Sequence, residues 1–151
     1  MKVAPDSQAE KQVWIKPMEF ELPGGLIGLE DATRFELLIN EEEEPFMWIR
    51  AVERHELGFV VIEPSAILND YDVEIADDDA KGLEIQGADD AIVLNIVTLK
   101  DDDIESATVN LIGPIVLNRR TLKGKQVIAA NYMKFSARHP LLAESAVATN
   151  S

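Results

Sequence analysis

Residues 91–99 read AIVLNIVTL, and the fold follows from how such a run must be covered. β-Branched residues dominate it, and it is too short for an ordinary globular helix. Read as a strand, it places Ala91, Val93, Val97 and Leu99 on one face and Ile92, Leu94 and Ile96 on the other. Both faces are apolar, which predicts cover on both. Asn95 interrupts the first face. A buried amide there needs hydrogen-bond partners, or its desolvation costs about 1–3 kcal/mol.

Shorter runs of the same type flank this one. Before it stand WIKPMEFEL, with alternating Met18, Phe20 and Leu22, then RFELLI, FMWIRAV, GFVVI and YDVEI. After it stand ATVNLI, PIVLN and KQVIAA. Turn residues separate them: Pro23-Gly24-Gly25, Glu44-Pro45, Glu63-Pro64, Gly87, Gly113-Pro114 and Gly124. Short β-type runs punctuated in this way predict an all-β fold, a small barrel-like or sandwich domain of about nine strands. Helical signals predict one or two short turns. One covers Pro64 to Leu68. The other covers Asp77 to Leu83, with Asp77 as N-cap and acids in the first turn, where the helix dipole favours them. The chain is predicted to form one β-rich domain over residues 11–142, with a flexible leader at 1–10 and a flexible tail at 143–151.

Charge is distributed unevenly. The 151 residues carry 14 Lys and Arg against 28 Asp and Glu, a net charge of −14. From Ser106 to Ala143 there is no acid, whereas Arg119, Arg120, Lys123, Lys125, Lys134 and Arg138 all fall there. The overall balance excludes direct nucleic-acid binding, since phosphate backbones are bound by clustered Lys and Arg. It leaves two readings, a charge that keeps the protein dispersed and a partner with a basic surface. The chain has no cysteine. That removes disulfides and thiolate chemistry and suits a cytoplasmic location. No apolar run is long enough to cross a bilayer as a helix, and no membrane association is expected.

Catalytic and metal templates fail in turn. The acid runs, Glu41 to Glu44, Asp77 to Asp79, Asp89-Asp90 and Asp101 to Asp103, fall between predicted strands and read as loops. Asp70, Asp72 and Glu74 alternate as in a calcium loop, but the sixth position is Ile75 where that loop requires Gly. Two histidines, His55 and His139, cannot make a three-His zinc site, and no HExxH spacing occurs. There is no GxSxG elbow, no phosphate-binding loop and no dinucleotide fingerprint. Acids in exposed loops also lack the apolar pocket that raises a glycosidase carboxyl's pKa. No catalytic residue, cofactor or metal is assigned. Phe46, Trp48 and Phe59 lie on β-type runs and read as core. An exposed Trp48 would instead serve as an interface anchor.

The chain resembles the flagellar assembly factor FliW family. The motifs are Leu22-Pro-Gly-Gly-Leu-Ile-Gly-Leu, Val93-Leu-Asn-Ile-Val-Thr98, Val109-Asn-Leu-Ile-Gly-Pro-Ile-Val-Leu-Asn118, Gly124-Lys-Gln-Val-Ile128 and His139-Pro-Leu141. They span Met18 to Leu141 in order. The resemblance implies a mostly β, non-enzymatic cytoplasmic protein that binds flagellin and the translational repressor CsrA. Release of flagellin by secretion would free the factor to capture the repressor. Asn95, Asn110, Pro114, Asn118, Gly124, Gln126, His139 and Pro140 belong to the matched motifs. Turn and strand work is their first expectation, because Asn, Pro and Gly mostly do that.

Charge density and loop position nominate Asp70, Asp72, Asp101, Asp102 and Asp103 as contacts for a basic repressor, with Phe46, Trp48 and Tyr71 near an apolar contact for an amphipathic flagellin helix. Two other readings remain: a flagellin-specific export chaperone with no repressor partner, and a small acidic metal-binding module.

Overall fold

The computed structural model describes residues 18–64, 71–100 and 103–141. Nine strands run through them: β1 (Met18–Glu21), β2 (Arg34–Ile39), β3 (Met47–Ala51), β4 (Gly58–Ile62), β5 (Ala91–Lys100), β6 (Asp103–Val109), β7 (Ile115–Asn118), β8 (Gly124–Gln126) and β9 (His139–Pro140). One short helix, α1 (Asp77–Gly82), and brief 3₁₀ turns complete the described residues. Among the described residues no helix is long and apolar enough to cross a membrane.

The strands pair antiparallel in the order β1-β2-β3-β4-β5-β6-β9, while β7 branches from β5 and carries β8. The long β5 makes this branching possible. Its first half, Ala91 to Leu94, pairs with β7. Its second half pairs with β4, Ile62 opposite Asn95 and Val60 opposite Val97, and with β6. A parallel bridge from Glu21 to Lys123 brings β1 back beside β8. The ring β1-β2-β3-β4-β5-β7-β8 is therefore a small barrel.

Two apolar clusters fill it and cover it. The larger holds Phe20, Leu22, Phe35, Leu37, Ile49, Val61, Leu94, Ile115 and Leu117, all from strands or turns of the ring. Phe20 and Phe35, cross-strand partners, stack with centroids 5.8 Å apart. The smaller cluster holds Ile62, Val97, Val109, Leu111 and Leu141, with Phe46, Val60, Tyr71 and Phe135 packed on it. Ile92, Leu94 and Ile96 thus serve the first cluster and Val97 the second, so both faces of β5 are used. Cover stops short at its end, where Leu99 is exposed.

Several local expectations change. YDVEI is not a strand. Asn131 holds it with a side chain, accepting from the Glu74 amide (2.9 Å) and donating to the Asp72 carbonyl (2.8 Å). The Ala130 amide adds a bond to the Glu74 carbonyl. Period-two alternation reports extended backbone, not the identity of its partner. KQVIAA keeps strand geometry only through Gln126, although the Val127 and Ala129 amides still bond to Pro114 and Ile112. Helix α1 forms as expected, but its N-cap is Ala76, so Asp77 to Asp79 occupy the first turn. Three of the acid runs are not plain loops: Glu41–Glu43 and Ala88–Asp90 are 3₁₀ turns, and Asp77 to Asp79 open α1. Asp103 begins β6. The predicted turn after Pro64 lies outside the described residues.

Candidate functional site

Strand alternation creates one open apolar groove. In β3, Met47, Ile49 and Ala51 point into the barrel, which turns Trp48 outward. The register sets Trp48 opposite Val60, and Val60 opposite Val97. These three side chains form an apolar row across the outer face, flanked by Phe46 and Leu99. The groove over them has a volume of about 380 Å³. Its rim is the 3₁₀ turn Glu41–Glu43 and the residue after it, and Glu42, Glu43 and Glu44 line it. Asn40 caps that turn by accepting from the Glu42 amide at 2.9 Å. Trp48 and Leu99 are each 38% exposed, whereas Val97 beneath them is 5% exposed. The Trp48 Nε1–H donates to Glu43 Oε1 at 3.2 Å, which fixes the indole against the rim.

The structure therefore joins Phe46 and Trp48, and adds the three glutamates, Val60, Val97 and Leu99 that sequence reading did not assign. On the sequence Trp48 reads as core; the structure instead turns it outward, because Met47, Ile49 and Ala51 take the inward positions of β3. The neighbours of Trp48 depend on cross-strand register, which has no signature inside a single run.

Tyr71 sits elsewhere, as part of the cover over the second cluster. Its hydroxyl donates to the Leu111 carbonyl (2.7 Å) and accepts from Asn95 Nδ2 (3.3 Å), and its ring meets Phe135 edge-on at 4.8 Å. Burial pushes the phenol's pKa up, against a smaller opposing pull from the Asn95 bond. Asp72 is exposed on the same segment. Asp70, Asp101 and Asp102 lie outside the described residues, and Asp103 is placed only by its backbone, paired with Lys100. No group of three His, Asp or Glu side chains able to hold a metal occurs among the described residues.

The motif residues hold the frame. Asn95 is fully buried and donates to the Asn110 carbonyl at 2.9 Å as well as to Tyr71. Asn110 Oδ1 accepts from the Ile112 and Gly113 amides, closing the turn before the buried Pro114. Gln126 donates to the Gly113 carbonyl and accepts from the Ile27 amide, fastening the Pro23–Gly28 loop to β8. Gly124 has no room for a β-carbon, which would collide with Leu117 and the Val116 carbonyl. His139 and Pro140 form β9 against Val109 and Thr108. In the Leu22-Pro-Gly-Gly loop the second glycine is the demanding one. Gly25 has φ +69°, and a β-carbon there would lie 2.5 Å from Glu30 Cα.

Asn118 anchors the basic turn. It is fully buried, donates to the Leu83 and Glu84 carbonyls, and accepts from the Arg120 and Thr121 amides. The cations around it face α1 and the acidic segment after it rather than open solvent alone. Arg119 donates to the Asp89 and Ala91 carbonyls, Arg120 pairs with Asp90 at 3.5 Å, and Lys125 pairs with Asp79 at 2.8 Å. Asp90 is held below the ordinary carboxylate range, first by the hydrogen bond from the Gln86 amide and then by Arg120.

This architecture and these motifs can be set beside known proteins. The family model described as "FliW protein" matches residues 6–141. A flagellar assembly factor FliW from Natranaerobius thermophilus is 37% identical over 119 residues, covering 79% of this chain and 78% of its own. Another from Leptospira interrogans serogroup Icterohaemorrhagiae is 38% identical over 125 residues, covering 83% of each. A solved crystal structure of the flagellar assembly factor FliW superposes with a TM-score of 0.74 at 32% identity, covering 82% of this chain and 84% of that one. The chain belongs to the FliW family of flagellar assembly factors.

Proposed function

We propose that this protein regulates flagellin production by partner exchange in the cytoplasm, binding flagellin and the RNA-binding repressor CsrA without catalysing a reaction. The observation that carries this reading is the open groove at Trp48, apolar on its floor and acidic on its rim, on a chain of net charge −14. The floor suits the apolar face of a flagellin helix, as in other helix-in-groove contacts. The acidic surface draws a basic repressor and speeds its encounter. Export of flagellin then leaves the factor free to capture the repressor, and flagellin translation rises.

The test is co-elution from a sizing column. The purified protein is mixed with flagellin, with CsrA, and with both. The proposal expects a complex with each partner alone and loss of the CsrA complex when flagellin is added. A complex with flagellin but none with CsrA would leave a dedicated flagellin chaperone instead.

A further inference from the structure

The groove at Trp48 has two chemistries in one place. Its floor belongs to the second apolar cluster, since Val97 is part of that cluster and Phe46 and Val60 pack on it. An apolar side chain lodged there would extend an existing core rather than rest on a surface. Its rim is formed by Glu42, Glu43 and Glu44, and among the described residues no basic one lines it. Glu43 is committed to the Trp48 indole. Neither Glu42 nor Glu44 has an ion-pair partner among the described residues, whereas Glu36, Asp79 and Asp90 are paired with Arg50, Lys125 and Arg120. A second groove, between Pro23-Gly24 and α1, differs. It is lined by both signs, Asp78, Asp79 and Glu84 with Lys123 and Lys125.

From this imbalance we infer that the Trp48 groove selects a segment presenting an apolar anchor flanked by Lys or Arg. The anchor packs on Val60 and Val97 beside the indole, and the flanking cation meets Glu42 and Glu44. Glu43 is a positioning residue, acting through Trp48. The inference rests on the reading of this groove as the partner site and specifies the chemistry of its occupant. A glutamate-flanked segment of equal hydrophobicity is rejected, because like charges would face one another at the rim.

The test uses two labelled synthetic amphipathic helical peptides, leucine on one face and lysine or glutamate on the other, followed by fluorescence anisotropy. Wild-type protein binds the leucine–lysine peptide, and Trp48→Ala removes that binding. Glu42→Lys with Glu44→Lys weakens it by about tenfold, the scale of two partly desolvated ion pairs. The comparison variant, Glu53→Lys with Glu56→Lys, makes the same net-charge change in the β3–β4 turn, at the far end of β3. It weakens binding by no more than about threefold, the screened long-range contribution. Melting curves matching wild type establish that the variants fold.

Equal weakening by the two charge reversals would overturn the inference, since only the overall field would then be at work. So would tight binding of the leucine–glutamate peptide. If Trp48→Ala abolishes flagellin co-elution while the rim reversal leaves it intact, the selectivity fails and the partner site stands. If the peptides behave as stated but neither protein partner co-elutes, the groove chemistry stands and the partner assignment fails.

Discussion

Asn118 concentrates more backbone bonding than any other side chain in the basic turn. It joins two carbonyls after α1 to two amides beyond β7. Asn118→Ala leaves these groups without their protein partner in a buried place, so unfolding free energy should fall by about 1–3 kcal/mol. A shift in urea midpoint with unchanged slope would register it. The two adjacent glycines offer a sharper contrast. Gly25→Ala forces a side chain into positive φ and against Glu30, at a cost of about 1–3 kcal/mol, whereas Gly24→Ala should change stability by less than about 0.5 kcal/mol. Open space surrounds Gly24. Asp90 gives a pH test. Its carboxyl holds a proton less tightly folded than unfolded, so its contribution is present at neutral pH and lost as pH falls through the depressed value. Asp90→Asn should therefore lower the melting temperature at neutral pH and have little effect in strong acid; an equal drop at both would remove the linkage. At this scale the sequence identified Asn95 as an interrupted face that needed partners. It could not name Tyr71 or the Asn110 carbonyl, which lie 24 and 15 residues away.

Among the elements, β5 ties the fold together by changing partners along its length. Its two-sided apolar pattern was the most legible feature of the chain, and it predicted cover on both faces. What could not be read was the handover from β7 to β4 and β6, because strand pairing is a long-range choice. The 71–76 segment shows the converse. Its alternation is genuine, but the Asn131 side chain and the Ala130 amide supply the bonds that a neighbouring strand would. Asn131→Ala should release this segment and raise the exchange rate of the Glu74 amide, with about 1 kcal/mol lost overall. Unchanged exchange at Glu74 would show that Tyr71 and the Ala130 bond suffice. The acid runs were legible as surface features; Asn40 caps the turn at Glu41, and the helix dipole favours Asp77 to Asp79 in the first turn of α1. That one of them would frame the Trp48 groove depends on where β3 and β4 carry their side chains.

For the molecule as a whole, the acid-free stretch proves to be frame with an internal counterweight. Arg119, Arg120 and Lys125 engage the segment from Asp79 to Ala91, so part of the basic charge is spent within the chain. The acidic excess elsewhere remains available. Under the proposed function, association with the basic repressor should slow as salt rises, and Asp101→Lys with Asp102→Lys should slow it further in low salt. Stopped-flow mixing reads both; a rate indifferent to the double reversal would remove these aspartates from the encounter surface. The bridge between Glu21 and Lys123 has its own consequence. There the ring meets itself through the Glu21 amide and the Leu122 carbonyl, 2.9 Å apart. Every other junction in the ring is a ladder of several residues. The barrel thus has a seam, and native-state breathing should begin along it, with β1 peeling from its neighbour and baring Phe20 and Leu22 before the rest of the sheet lets go.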